Sequence, residues 1–133
     1  MTGIGALVSI VDDDRSVRES LPHLLRCHGF AVATFPSAET FLASGIADRT
    51  GCLLLDVAMP SMTGPELQQE LTRRGHSVPI VFISAADDRH VHALVRQRGA
   101  AGMLVKPFSE EAIVDAVYTA LRTPPRPTEG TPT

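Results

Sequence analysis

The chain lacks the residue patterns that mark disulfide-rich and metal-binding proteins. Its two cysteines, Cys27 and Cys52, show neither a CxxC pattern nor a Cys/His spacing, so we expect both to be reduced thiols. The five histidines do not form an HxxxH pattern with a nearby carboxylate. We therefore expect solvated or capping side chains at all of them: His23, His28, His76, His90 and His92.

The chain also lacks a basic surface and a long apolar run. The formal net charge is -3 and no basic patch is visible, which gives no reason to expect nucleic-acid binding. The apolar run from Leu7 to Val11 is far too short to span a bilayer or to form a signal-peptide core. A length of 133 residues with 44% hydrophobic residues is enough for one domain with its own core. We expect a soluble, cytoplasmic domain that binds neither membrane nor nucleic acid.

Short apolar runs alternate along the chain with segments of helical spacing. The runs predict five strands, at residues 6–11, 30–35, 52–55, 78–83 and 102–105. A helix is predicted after each strand, and the N-caps of the second, fourth and fifth helices are predicted at Ser37, Asp87 and Ser109. Strands without polar alternation are buried on both faces, so this pattern predicts an α/β fold, a doubly wound parallel sheet covered by helices on both sides.

Proline interrupts this pattern at two places. Pro22 lies inside the first helical segment, where it removes the amide that would bond to Arg18, and this predicts a bend or a local loss of helix near Arg18. Beyond Arg122 the sequence is proline-rich and polar. We expect residues 1–122 to form the domain and residues 123–133 to be an extended tail or a truncated linker.

Polar residues stand where the predicted strands end. Asp12 and Asp13 follow the first strand, Asp56 the third, Ser84 the fourth and Lys106 the fifth. Seen alone, Asp56 is equally well explained as a turn residue. The carboxyl ends of parallel strands share one edge of the sheet, however, so these five side chains are expected in one crevice. Clustered carboxylates oppose one another's ionisation, and a cation bound by oxygen ligands, such as Mg²⁺, removes that cost.

Four segments in a fixed order resemble a known family. These segments, VDDDRSVRESL, LLLDVAMPSMTGPEL, VFISA and GMLVKPFS, are together similar to the receiver domain of two-component response regulators over residues 5 to 122. The resemblance implies a flavodoxin-like sheet with strand order 2-1-3-4-5. It is strongest to receivers of regulators that carry a C-terminal DNA-binding helix-turn-helix domain, which these 133 residues do not include.

The resemblance implies a phosphoryl acceptor with a bound metal. Asp56 matches the aspartate that takes a phosphoryl group from a histidine kinase and forms an acyl phosphate. Asp12 and Asp13 match the acidic pair that holds Mg²⁺ together with Asp56, and the backbone carbonyl of Ala58 matches a further ligand. Asp14, the third acid of the run, is expected to be the N-cap of the first helix or a solvated acid instead of a ligand.

Two further residues match family positions around the phosphoryl group. Ser84 matches the hydroxyl residue that bonds to this group. Lys106 matches the lysine that pairs with Asp56 beforehand and with a phosphoryl oxygen afterwards, and the peptide bond to Pro107 is implied to be cis. Three residues before Lys106 the family usually has an aromatic switch residue, whereas this chain has Met103. We expect weaker but surviving coupling from Ser84 to the face formed by helix 4, strand 5 and helix 5.

The resemblance also implies two partners. A histidine kinase or phosphotransfer protein is expected to meet the first helix and the loops around Asp56. A second copy of the chain, as a homodimer, or a target protein is expected to meet the helix 4, strand 5 and helix 5 face. Candidate residues for that face are Val91, Val95, Met103 and Tyr118.

Three alternative functions have a weaker basis in the sequence. An unphosphorylated interaction module would not need the acids, Ser84 and Lys106 together. An aspartyl-phosphate phosphatase, a true enzyme, places its nucleophile after the first strand and carries a cap domain, so we expect no such enzyme here. A flavodoxin-like cofactor binder needs bare amides after the first strand, where the acids Asp12, Asp13 and Asp14 would repel a phosphate.

Overall fold

A computed structural model describes residues 6–85 and 89–122, except for the side chains of Val91 and Val95. In chain order the elements are β1 (Leu7–Val11), α1 (Arg15–Cys27), β2 (Ala31–Phe35), α2 (Ala38–Ser44), a 3-10 helix (Ile46–Arg49), β3 (Cys52–Asp56), α3 (Gly64–Arg73), β4 (Ile80–Ser84), α4 (Arg89–Gln97), β5 (Gly102–Val105) and α5 (Glu110–Arg122). The predicted alternation is confirmed, although the 3-10 helix was not predicted. None of the helices in the described ranges is long and apolar enough to cross a membrane.

The five strands form one parallel sheet with the order β2-β1-β3-β4-β5. Every residue of β3 and β4 is buried. Alternate residues of each central strand enter different cores: Leu54 faces the core beneath α1 and α5, and Leu55 faces the core beneath α2 and α3. This two-sided burial explains the continuous apolar runs. The doubly wound, flavodoxin-like fold predicted from the sequence is therefore confirmed.

Side chains cap the helices where the sequence predicts them. The confirmed caps are Asp14 for α1, Ser37 for α2 and Ser109 for α5, and each accepts a hydrogen bond from an amide in the first turn. Thr63 and Glu66 form a reciprocal capping box at the start of α3, which the sequence analysis missed. The predicted α4 cap, Asp87, lies outside the described residues, as does the predicted tail at 123–133.

Of the two alternatives predicted near Arg18, a bend or a local loss of helix, the loss is excluded. Helix α1 runs unbroken from Arg15 to Cys27 with Pro22 inside it. Proline removes only one backbone hydrogen bond, and Leu21, Pro22 and Leu25 are all buried against the sheet, so packing on both sides of the proline maintains the helix. A bend of the helix axis at this point stays a prediction.

Candidate functional site

Three carboxylates meet at the carboxyl ends of β1 and β3. These strands are neighbours in the sheet, with Val11 paired to Leu55, so the residues that follow them are adjacent. Oxygen atoms of Asp12, Asp13 and Asp56 all lie within 4.8 Å of one another. Asp12 and Asp56 are buried and Asp13 is exposed. The structure thus places the three predicted acids together, one of them open to solvent.

The loop after β3 holds the Asp56 backbone through a close approach by Gly64. The Gly64 amide donates a hydrogen bond to the carbonyl of Val57 (2.9 Å). A Cβ atom added at Gly64 would overlap the carbonyl oxygen of Asp56 and lie 3.0 Å from the Cα of Val57. Only glycine fits at this position without a shift of the loop. The sequence shows a glycine directly before Pro65 at a helix start, whereas the contact of Gly64 with the Asp56 backbone depends on the folded loop.

The loop between β1 and α1 fixes the position of Asp12. The Asp14 amide donates a hydrogen bond to Oδ1 of Asp12 (2.9 Å), and Nη1 of Arg18 donates one to the backbone carbonyl of Asp12 (2.8 Å). Arg18 is thus a positioning residue that sequence reasoning missed, because its role depends on the helix turning the side chain back to the strand end. Oδ2 of Asp12 is buried and accepts no hydrogen bond from any described residue.

The electrostatic environment disfavours a charge on Asp56. Burial first, and then the negative charge of Asp12, raise the pKa of the Asp56 carboxyl to about 7. The positive charge of Lys106 acts in the opposite direction, and hydrogen bonding with Asp13 and Asp12 adds to the rise. A carboxylate in this position gains stability from any cation that enters the crevice.

Lys106 lies at the same end of the sheet. Its backbone amide donates a hydrogen bond to the carbonyl of Ser84 (2.8 Å), which sets it beside the end of β4. Its Nζ atom lies 3.5 Å from Oδ2 of Asp12 and 3.8 Å from Oδ2 of Asp14. The pairing of Lys106 with Asp56 that the resemblance implies stays a prediction. The peptide bond between Lys106 and Pro107 is cis, as predicted.

The two remaining predicted site residues are at or just after the carboxyl ends of β4 and β3. Ser84 is the last residue of β4 and is buried, and Ala58 is exposed in the loop after Asp56. The hydroxyl role of Ser84 and the carbonyl role of Ala58 stay predictions.

The crevice is chemically suited to a hard divalent cation. Three carboxylates offer only oxygen ligands, and Oδ2 of Asp12, which lies 3.5 Å from the Lys106 amine but accepts no hydrogen bond from the described residues, is an acceptor that a cation would use. A cation would also offset the burial and the repulsion by Asp12 that together raise the pKa of Asp56. The donor set fits Mg²⁺, which needs few protein carboxylates because it retains several waters.

The face formed by helix 4, strand 5 and helix 5 is only partly as predicted. Met103 is half-buried and packs against the core beneath α2 and α3, while Leu94 and Val105 are exposed. The ring of Tyr118 lies 5.2 Å from the ring of Phe30, which directly precedes β2 at the opposite edge of the sheet from β5. Tyr118 therefore packs away from the helix 4, strand 5 and helix 5 face, and its predicted place there is wrong. The predicted side chains of Val91 and Val95 lie outside the described set.

Known proteins share this sequence pattern. A family model described as "Response regulator receiver domain" matches residues 8–118. The "Transcriptional regulatory protein TdiR" of Thauera aromatica is 42% identical over 120 residues, which are 90% of this chain and 53% of that protein. The "Response regulator protein TmoT" of Ectopseudomonas mendocina is 39% identical over 127 residues, 96% of this chain and 58% of that protein. The chain thus spans little more than half the length of these relatives.

Solved structures share the fold. The response regulator StyR is 46% identical with a TM-score of 0.81, over 87% of this chain and 59% of that one. The structure titled FixJ-N is 36% identical with a TM-score of 0.81, over 91% of this chain and 95% of that one. The second match extends over nearly the whole of both chains, so the described fold is similar to that of FixJ-N as a unit.

Proposed function

This chain belongs to the response regulator receiver domain family, and from that membership we propose that it takes a phosphoryl group from a histidine kinase or a phosphotransfer protein onto Asp56. The observation that carries the proposal is the meeting of Asp12, Asp13 and Asp56 within 4.8 Å beside the amine of Lys106. A turn-initiating aspartate would need none of these neighbours.

The chemistry requires one nucleophilic oxygen and a means of balancing negative charge. An oxygen of Asp56 attacks the phosphorus of the donor, the bond from phosphorus to the donor breaks, and an acyl phosphate forms. Mg²⁺ held by Asp12, Asp13, Asp56 and the carbonyl of Ala58 would neutralise the phosphoryl oxygens and keep donor and acceptor in line.

Two of the chain's own groups act on the product. The Lys106 amine pairs with one phosphoryl oxygen, since it already lies within the acidic cluster. The Ser84 hydroxyl, at the end of the next strand, donates a hydrogen bond to another. Both contacts exist only after phosphorylation, so they favour the phosphorylated form over the free form.

Incubation with acetyl phosphate and Mg²⁺ tests the proposal. We expect intact mass spectrometry to show a gain of one phosphoryl group in the wild type and none in Asp56→Asn, because the amide is not a nucleophile. The exposed acid Asp115, replaced in Asp115→Asn, provides a control that keeps the gain. A wild type that never gains the phosphoryl mass would contradict the proposed function.

The output of this event is proposed to be a change of the helix 4, strand 5 and helix 5 face. The backbone carbonyl of Ser84 accepts a hydrogen bond from the amide of Lys106, and β4 pairs with β5 from Val81 to Ser84. A shift of Ser84 would therefore be transmitted directly to β5. Met103 fills the position of the usual aromatic switch from within the core, with a flexible side chain. This arrangement predicts coupling that is weak but present.

Amide spectra before and after phosphorylation test this coupling. We expect ¹H–¹⁵N signals over residues 86–122 to shift on phosphorylation, and to shift less in Ser84→Ala, which lacks the hydroxyl. Identical spectra for the free and phosphorylated wild type over this range would remove the coupling from the proposal.

The same assignment defines the partners. The kinase or phosphotransfer protein meets α1 and the loops around Asp56, where Asp13 is exposed beside the buried acceptor. A second copy of the chain or a target protein meets the helix 4, strand 5 and helix 5 face, where Leu94 and Val105 are exposed. We propose that the chain is a cytoplasmic signalling module. Its function is to accept a phosphoryl group, and it is not an enzyme that turns over a separate substrate.

A further inference from the structure

Lys106 is the only lysine among the 133 residues, so the crevice contains the single primary side-chain amine of the chain. The amine lies 3.5 Å from Oδ2 of Asp12 and 3.8 Å from Oδ2 of Asp14. Both acids belong to the loop between β1 and α1, on one side of the crevice. The lysine is thus held toward this loop before any phosphoryl group is present.

The two oxygens of Asp14 have separate tasks. Oδ1 accepts hydrogen bonds from the amide (2.9 Å) and the hydroxyl (2.8 Å) of Ser16. Through these bonds Asp14 caps α1. Oδ2 faces the amine of Lys106 instead. The cap fixes the orientation of the carboxylate, because Oδ1 is held by two donors, and so it aims the other oxygen at the lysine.

We propose that Asp14 is a positioning residue that competes with the phosphoryl group for Lys106. This inference rests on the proposed function, since it assigns a role to a residue next to the acceptor site. In the free protein the amine of Lys106 is shared between Asp12 and Asp14. In the phosphorylated protein it leaves Asp14 for a phosphoryl oxygen, and the charge of Asp14 then disfavours the added negative charge nearby.

The contact of Asp14 with Lys106 in the free state and the repulsion by Asp14 in the phosphorylated state both disfavour capture of a phosphoryl group. Removing the charge of Asp14 weakens a contact of the free state and reduces repulsion in the phosphorylated state, so it favours capture of a phosphoryl group. An ion pair with an exposed partner contributes little, so the expected affinity change is about two- to fivefold. The variant Asp14→Asn keeps an oxygen for the cap while losing the charge, and Asp14→Ser does the same with a shorter side chain.

The single lysine makes a direct measurement possible. In protein labelled with ¹³C-lysine, the Cε–Hε signal reports Lys106 alone. We expect Asp14→Asn and Asp14→Ser to move this signal in the free protein. In titrations with beryllofluoride, a phosphoryl mimic, and Mg²⁺, we expect half-saturation at about two- to fivefold lower concentration than in the wild type. Glu110→Gln, which removes an exposed acid from the first turn of α5, should change neither quantity.

The outcomes separate this inference from the proposed function. A Lys106 signal that is unchanged in the free Asp14 variants would overturn the proposal, as would half-saturation equal to that of the wild type. A drop in half-saturation that Glu110→Gln reproduces would also overturn it, because it would show a general charge effect. Wild-type protein that neither binds beryllofluoride nor gains mass with acetyl phosphate would instead contradict the proposed function, while the free-protein signal would still decide whether Asp14 holds Lys106.

Discussion

At pH 8 and without divalent cations, Asp56→Asn is expected to be more stable than the wild type by about 1–3 kcal/mol. Burial and the charge of Asp12 raise the pKa of Asp56 to about 7 in the folded protein, compared with about 3.9 in an unfolded chain. The folded state therefore holds a proton that the unfolded state loses between these two values. The full difference between these two pKa values would correspond to about 4 kcal/mol, and we expect less because the crevice opens to water beside the exposed Asp13.

This difference in bound protons sets the direction in which the stability of the wild type changes with pH and the pH range of the change. Below about pH 4 the carboxyl is protonated in both states and its ionisation does not affect stability. As the pH rises from about 4 to about 7, the wild type loses stability, because ionisation is easier in the unfolded chain. Above about pH 7 the penalty is complete and constant. The stability gain of Asp56→Asn should grow across this window and then level off.

Urea unfolding at several pH values, followed by far-ultraviolet circular dichroism, measures this gain. Asp115→Asn, an exposed acid on α5, is the matched control and should parallel the wild type at every pH. Added Mg²⁺ should stabilise the wild type more than Asp56→Asn, since a cation that binds only the folded site adds to stability in proportion to its affinity. Parallel pH profiles for the wild type and Asp56→Asn would contradict the raised pKa.

Gly64→Ala is expected to destabilise the protein by about 2–3 kcal/mol and to slow phosphoryl uptake. The new Cβ would overlap the carbonyl oxygen of Asp56 and approach the Cα of Val57 to 3.0 Å. Both neighbours are backbone, so they cannot rotate away as a side chain would, and the loop itself must shift. Because that loop carries the acceptor, the shift moves Asp56 relative to Asp12 and Asp13.

Gly102→Ala provides the control for Gly64→Ala. A Cβ at Gly102 would lie 3.6 Å from a methyl carbon of Val81, an ordinary packing distance, and would be far in sequence from the acceptor loop. We expect unfolding midpoints and rates of phosphorylation by acetyl phosphate to fall in Gly64→Ala and to stay near the wild type in Gly102→Ala. Equal behaviour of the two variants would show that the loop tolerates a side chain at Gly64.

Much of the candidate site was predictable because parallel strands all end at one edge of a sheet. The placement of Asp12 after β1 and Asp56 at the end of β3 needs only strand order and the last apolar residue of each run. The cap at Asp14 was predictable for a different reason, because a helix cap is an interaction between residues close in the chain. The continuation of α1 through Pro22 was not predictable from local propensity, because propensity does not include the burial of the helix around the proline.

The amino-acid sequence by itself determined the alternating strands and helices, the crevice at the strand ends and the residue types within it. These depend on periodicity and on chain order, which are local properties. Only the tertiary structure decided that Gly64 lies against the Asp56 backbone, that the Lys106 amine lies 3.8 Å from Oδ2 of Asp14, and that the pKa of Asp56 is raised to about 7. Each of these depends on burial and on distances between segments far apart in the chain, which no local pattern specifies.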